Sequence, residues 1–213
     1  MNRKPNEYLY TYSGQVLYPG EIAPANIKLI DIGYGLAGIN RYMGQTRISV
    51  LRHSLALGRR FMHNENQALY ALLHDAAEVY MMDIPQPMKR FMTHEWYDLY
   101  ADTEALIFAK YGVKATYEEM IEVAAEDKHM VEYEMDSREA YERGSQIKFP
   151  GKHLFSMQDN YDFDVAYYYR EVSRPVTDEG LIPIFLGLVR GLSKPITDAC
   201  GVTIDSIDVE ADE

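Results

Sequence analysis

The chain has 213 residues, 47% hydrophobic and 25% charged, with a formal net charge of −12. That length supports one large core or at most two small ones, and the acidic balance excludes a basic surface of the kind that grips a nucleic-acid polymer non-specifically. Cys200 is the only cysteine, so no internal disulfide can form and a reducing compartment is expected. No N-terminal stretch has the basic-then-apolar form of a signal peptide, and the longest apolar run, 181–189, is too short to cross a bilayer. A cytoplasmic protein without a membrane partner is expected.

In chain order, residues 1–20 alternate aromatic and polar residues about Ser13 and Gly14 and predict a short β-hairpin. The segment 21–47 is interrupted by Pro24, Gly33, Gly35, Gly38 and Gly44 and reads as a short helix or turn leading into Asn40-Arg41-Tyr42. Ser49 is a candidate N-cap for a helix through Met62. A second helix is expected over 66–82, closed by Pro85 and Pro87. A third is expected over 93–111, ended by Gly112, and a long charged fourth over 116–143. The stretch 160–172 reads as strand or helix, and 177–192 as an N-cap followed by an apolar helix. The acidic tail 204–213 is expected to fray. With no internal repeat and no Gly/Ser linker, the pattern predicts a single all-α domain, a helical bundle with a small N-terminal β-hairpin. It divides into an N-terminal arm (1–30), a core (31–145) and a C-terminal extension (146–213).

Several ionisable groups interrupt apolar helical faces. His53 is flanked at helical spacing by Val50 and Leu57. His74 and Glu78, four residues apart, share a face, with Asp75 adjoining. Asp127 interrupts an expected inward stripe of Met120, Ala124, Val131 and Met135, whereas Asp136 shares its face with His129, Glu132 and Tyr133 and reads as solvated. Taken singly, a buried histidine is more often a hydrogen-bonded core residue than a ligand, and a carboxylate such as Asp127 is equally well explained by an arginine partner. Taken together, His53, His74, Asp75 and Asp127 would each carry a heavy desolvation cost that one shared cation offsets. Two imidazoles and two carboxylates make a mixed N/O donor set suited to a divalent transition metal.

The order of these residues resembles the HD-domain metal-dependent phosphohydrolases. Within them it resembles a bacterial and phage branch acting on deoxynucleotides: the 5′-deoxynucleotidases and the related phage dATP triphosphohydrolases. The matching text is DIGYGLAGINRYMGQTRISVLRHSLALG (31–58), ALLHDAAEVYMMDIPQPMKR (71–90) and AEDKHMVEYE (125–134). The second block is the most specific, because HDxxE followed by DIPxPxK is far rarer than HD alone. The resemblance implies an HD-type bundle and, position by position, His53, His74, Asp75 and Asp127 as ligands of one divalent metal (Co, Mn or Zn, with Mg a further option). Asp136 is the alternative to Asp127. Glu78 would lie beside the attacking water as general acid/base, with a partner that orients His74 or Asp75 as its other reading. Asp83 would contact the substrate or orient the site, and Arg41 would hold the phosphate. Tyr42 stands where relatives often carry Trp to sense the sugar, and Arg52 stands where a small or acidic residue is expected, adding a candidate phosphate contact. Lys89, after the two prolines, is a candidate for steering phosphate.

The activity so implied is hydrolysis of a 5′-deoxynucleoside monophosphate to nucleoside and phosphate. One alternative is attack on a dNTP, dATP above all, with release of triphosphate; Arg47, Arg52, Lys89, Arg90 and Lys128 are the basic groups that reading would use. The other is a metal-binding HD sensor or scaffold without catalysis. The resemblance also implies a homo-oligomer whose ligand is a small deoxynucleotide rather than a nucleic-acid polymer.

Overall fold

Gly14, at φ +78°, takes the left-handed conformation that glycine enters without steric cost. It turns β1 (Leu9–Tyr10) back on β2 (Val16–Leu17), with Leu9 opposite Leu17 and Tyr10 opposite Val16. The computed structural model describes residues 8–46, 48–136, 177–193, 196–197 and 203–204. A buried carboxylate pins the hairpin to the helices: Asp31 accepts hydrogen bonds from Ser13 N (2.6 Å), Ser13 Oγ (2.9 Å) and Gln15 Nε2 (3.1 Å).

After a 3-10 turn at Pro24–Asn26 comes α1 (Leu29–Gly38), so the short helix expected within 21–47 is ten residues long. Two of its glycines are close-approach positions rather than breaks. A Cβ on Gly33 would meet Ile182 at 3.1 Å, and one on Gly35 would run into both methyls of Val79. α2 (Val50–Arg60) starts at the Ser49 cap, whose Oγ accepts from Arg52 N. Asn64 caps α3 (Glu65–Leu73).

Here the structure corrects the sequence reading. The helix expected over 66–82 ends at Leu73, and tight turns (Ala76 N to Leu73 O, Glu78 N to Asp75 O) precede α4 (Glu78–Met81). The cause is local. The His74 imidazole takes the Ala71 carbonyl at 2.8 Å, the acceptor that a continuing α-helix would offer to Asp75 N. α5 (Gln86–Lys89) opens behind Pro85. α6 (His94–Tyr111) runs from the Thr93 cap to Gly112 in the left-handed region. α7 (Tyr117–Asp136) opens on a capping box, Glu119 N to Thr116 Oγ1 (3.2 Å) and Thr116 N to Glu119 Oε2 (2.7 Å). α8 (Asp178–Leu192) starts at the Thr177 cap. An antiparallel pair, β3 (Ile196–Thr197) with β4 (Thr203–Ile204), follows without a clear signal in the sequence. The stretch 160–172 and nearly all of the acidic tail lie outside the described residues.

The architecture is mostly helical with a small N-terminal hairpin. The main core gathers Leu17, Ile32, Leu36, Leu51, Leu72, Ile107 and Phe185, so α8, from the expected C-terminal extension, packs into the same interior as α1 to α3. A second cluster joins Leu57, Ala68 and Ala71 to Val123 and Met130 of α7. The inward face of α7 is therefore Val123, Met130 and Glu134 with Asp127 at its flank, while Ala124 is exposed and Met120 and Val131 are half-buried. Polar tethers set this rotation: Asn64 Nδ2 to Glu119 Oε1 and Gln67 Nε2 to Glu122 Oε2, both 2.6 Å, and Arg60 Nε to Glu126 Oε1 at 2.9 Å. Among the described residues no helix is long and apolar enough to cross a membrane.

The Gly35–Val79 approach determines where α4, and hence Glu78, sits against α1. In Gly35→Ala the overpacking, about 1–3 kcal/mol, should exceed the ~1 kcal/mol that alanine gains over glycine in a helix, because β-branched Val79 has little rotamer freedom to yield. A lower urea midpoint with an unchanged slope is expected. A midpoint at or above that of the parent protein would show that α4 shifts to admit the methyl.

Candidate metal centre

Four segments converge. α2 brings His53, the break after α3 brings His74 and Asp75, α7 brings Asp127 and Glu134, and the loop before α2 brings Arg41 and Tyr42. His53 Nε2 lies 3.4 Å from His74 Nε2, 3.7 Å from Asp75 Oδ2 and 3.0 Å from Asp127 Oδ1. His74 Nε2 is 3.1 Å from Asp75 Oδ2. The donor atoms of His53, His74 and Asp75 all lie within 4.8 Å of one another, and this group could hold a metal ion. Asp127 stands at its edge through His53.

The chemistry of these donors fits a cation. Each imidazole is engaged on its far nitrogen: His53 Nδ1 is 2.8 Å from Glu134 Oε1, and His74 Nδ1 is 2.8 Å from Ala71 O. With those nitrogens donating, both Nε2 lone pairs point inward, and two lone pairs 3.4 Å apart repel unless a proton or a cation lies between them. Asp127 Oδ1 is buried 3.0 Å from His53 Nε2 with no well-directed hydrogen bond among the described residues, and a carboxylate oxygen so placed is one that a cation satisfies.

The Arg41 loop is closed by Arg41 N to Ile48 O and Val50 N to Ile39 O, both 2.9 Å. Tyr42 (φ +58°) and Met43 (φ +57°) take left-handed conformations that bulky residues rarely adopt. The turn lays Arg41 against α7. Its Nε donates to Glu134 Oε2 at 2.9 Å, and its terminal nitrogens lie 3.6 Å from Asp75 Oδ2 and 3.9 Å from Asp127 Oδ1. The Tyr42 hydroxyl donates to the same Glu134 oxygen at 2.6 Å.

Glu134 is the residue that sequence reasoning missed. It ends the third matching block, seven residues and two helical turns after Asp127, and that spacing was the available signal. The sequence reading also passed over Tyr100 and Glu104, one turn apart on α6. Lys89 Nζ sits 5.5 Å over the Tyr100 ring, and its charge reaches Glu78, Asp83 and Glu104. Glu78 is buried, with no hydrogen-bond partner for Oε2 among the described residues, and Asp83 is half-buried. Arg52 is placed differently from the rest: its Nε is 2.5 Å from Asp178 Oδ1, tying α2 to the start of α8. Arg47 and the side chain of Asp136 lie outside the described residues.

Burial opposes charge on His74, but Asp75, Asp127 and the Ala71 carbonyl more than reverse this and raise its pKa to about 9. His53 is raised too, by Glu134 and Asp127 against burial and Arg41. Burial lifts Glu78 to about 9, helped by Asp75 and Asp83 and opposed by His74 and Lys89. Burial likewise raises Asp83. Glu134 moves the other way: burial is outweighed by Arg41, His53 and the Tyr42 hydroxyl, which take it down to about 2. Asp75 and Asp127 are also depressed against burial, chiefly by the neighbouring imidazoles.

No model of a known protein family matches the chain. It is similar to the uncharacterized protein YfdR of Escherichia coli K12, 32% identical over 108 residues that cover 50% of this chain and 59% of that protein. It is also similar to an uncharacterized protein of Rhodobacter capsulatus, 32% identical over 112 residues, 48% of this chain and 57% of that protein. The chain thus spans less than two thirds of the length of either relative, and neither name carries an activity.

These shifts define a pH profile. His74, raised from 6.5 to about 9, contributes stability that is complete below pH 6.5 and lost as pH rises through about 9. Glu78, raised from 4.5 to about 9, loses its contribution in the same direction, from pH 4.5 upward. Glu134, lowered from 4.5 to about 2, contributes above pH 4.5 and fades as pH falls through about 2. Chelator-treated protein should therefore melt highest at about pH 4.5–6 and progressively lower toward pH 9. The melting-temperature gain from added Co²⁺ should grow over that same rise, because the ion displaces the His74 proton. A melting temperature flat from pH 6 to pH 9 without metal would contradict this proton inventory.

Proposed function

We propose that the chain is a divalent-metal-dependent phosphohydrolase of the HD type that hydrolyses a 5′-deoxynucleoside monophosphate to nucleoside and phosphate. The observation that carries this reading is the placement of Arg41. A planar, permanently charged guanidinium turns both terminal nitrogens toward Asp75 and Asp127, at 3.6 and 3.9 Å, beside a His/His/Asp donor group. Such a fork suits a phosphoryl group held at that centre.

His53, His74, Asp75 and Asp127 would hold the ion, which when bound supplies Lewis acidity to water and to a phosphoryl oxygen near neutral pH. Arg41 binds the equatorial phosphoryl oxygens and offsets the charge that builds on them. Water attacks phosphorus, a new P–O bond forms, the bond from phosphorus to the nucleoside 5′-oxygen breaks, and the water's own proton stays with the product phosphate, from which Glu78 is reprotonated for the next turnover. Glu78, held protonated by burial, gives its proton to that leaving oxygen. Positive charge beside Asp75 would oppose that raised pKa, in the direction that favours giving the proton up. Asp83 and Lys89 border Glu78 and hold the leaving side of the site in a defined charge pattern.

The charge distribution favours one phosphoryl group over three. Arg52 is engaged with Asp178 and Arg60 with Glu126, and Arg90 lies over the exposed Phe91 ring at 4.7 Å. Around Glu78 the described carboxylates Glu78, Asp83 and Glu104 outnumber Lys89, a balance that disfavours a polyphosphate tail there, while Lys128 beside Asp127 is exposed. The dNTP reading, with release of triphosphate, and the non-catalytic scaffold are the other outcomes of the test.

Metal-stripped protein resupplied with Mn²⁺, Co²⁺, Zn²⁺ or Mg²⁺ should release phosphate from dNMPs, resolved chromatographically from nucleoside. Triphosphate from dNTPs would replace the leading reading with the alternative, and no product from any nucleotide would sink the enzyme proposal. Asp75→Ala should abolish turnover. Glu78→Gln should lower kcat by about 10²–10⁴-fold with KM little changed, whereas Arg41→Ala should raise KM as well. A Glu78→Gln enzyme with full kcat would remove Glu78 from the proton transfer.

A further inference from the structure

Glu134 divides its two oxygens between the two halves of the centre. Oε1 meets His53 Nδ1 at 2.8 Å, and Oε2 takes Arg41 Nε at 2.9 Å and the Tyr42 hydroxyl at 2.6 Å. The side chain is 0% exposed, so no water competes for these bonds, and a carboxylate is a rigid plane in which placing one oxygen places the other.

We propose that Glu134 is a positioning residue that sets metal binding at His53 and phosphate binding at Arg41 together. An ionised carboxylate only accepts hydrogen bonds. His53 Nδ1 therefore carries the proton, and Nε2, 3.0 Å from Asp127 and 3.4 Å from His74 Nε2, keeps its lone pair for a cation. On the other side, Glu134 holds the Nε edge of Arg41, which leaves the two terminal nitrogens to face the donor group. The Tyr42 hydroxyl, delivered by the left-handed turn at Tyr42 and Met43, donates to the same Oε2 and helps fix the orientation of the carboxylate. One group thus fixes the tautomer of a ligand and the aim of the phosphate fork. The phosphate half of this inference rests on the phosphohydrolase reading; the metal half stands without it.

Glu134→Gln tests it with little change of volume. An amide has one acceptor where three donors now converge, so it cannot satisfy His53 and Arg41 as the carboxylate does. Chelated full-length protein would be titrated with Co²⁺ by calorimetry, and the Co²⁺-saturated protein with inorganic phosphate. Co²⁺ affinity is expected to fall by about 10–100-fold, with a parallel fall in phosphate affinity. In Zn²⁺-loaded protein the His53 Nδ1–H proton should lie far downfield, as expected for a bond to an anion, and lose that shift in the variant, which general loosening of the fold would not single out. If Glu134→Gln does not fold, Glu134→Asp keeps the buried charge but is one methylene too short to reach both partners. It should weaken both titrations.

Parent-like affinity for either Co²⁺ or phosphate in the deciding variant would overturn the coupling. That outcome is separable from failure of the phosphohydrolase reading. A parent protein that turns over no nucleotide, yet loses both affinities when Glu134 is changed, upholds the inference and sinks only the reading.

Discussion

A carboxylate sealed from solvent organises this centre. An isolated buried anion would be strongly destabilising, and Glu134 persists as one because Arg41, His53 and Tyr42 converge on it from two other segments of the chain. The dependence is mutual. Arg41 is held between Glu134, Asp75 and Asp127, and removing the fully buried Glu134 would leave a largely buried positive charge short of its nearest partner. The loop before α2, α2 itself and α7 are thereby locked into one arrangement by electrostatics as much as by the apolar contacts of Leu57, Val123 and Met130.

The backbone irregularities of the described fold cluster around the same point. The interruption after α3 places His74 and Asp75 in a turn, from which their side chains reach His53. The left-handed Tyr42 and Met43 aim Arg41 and the phenol at α7. The Gly35 contact lets α4 lie close against α1, with Glu78 at its first position. Each departure is sterically or entropically unfavourable taken alone, and each is held by burial or by hydrogen bonds within the centre.

Around the donor group the charge is largely acidic and largely accounted for. Arg52 and Arg60 fasten α8 and α7 to α2, tasks that belong to the fold. Lys89 remains among Glu78, Asp83 and Glu104, against Tyr100. The charges within the centre are of two kinds, Arg41 against Glu134, Asp75 and Asp127 and a buried Glu78 whose pKa is raised, and the proposed hydrolysis of a single phosphoryl group draws on both.

Much of this was legible in the residues. Ser49, Thr93, Gly112 and Thr177 mark helix ends because capping is local chemistry, and His53, His74 and Asp75 stand out because ionisable groups in apolar periodicity need a reason. The helix break at His74 was not legible, since it depends on a side chain capturing a carbonyl that the periodic pattern assigns to the backbone. Nor was the rotation of α7, which hydrogen bonds from Asn64 and Gln67 and the Arg60–Glu126 ion pair fasten at separations of more than fifty residues. Glu134 and the different fates of Arg41 and Arg52 follow from that rotation and from the placement of α8. The sequence by itself determined the helical elements, their caps and the residue types able to hold a cation, because these depend on neighbours a few positions away. Only the tertiary structure decided which charges meet, because the balance between desolvation and pairing is struck in space, between segments far apart along the chain.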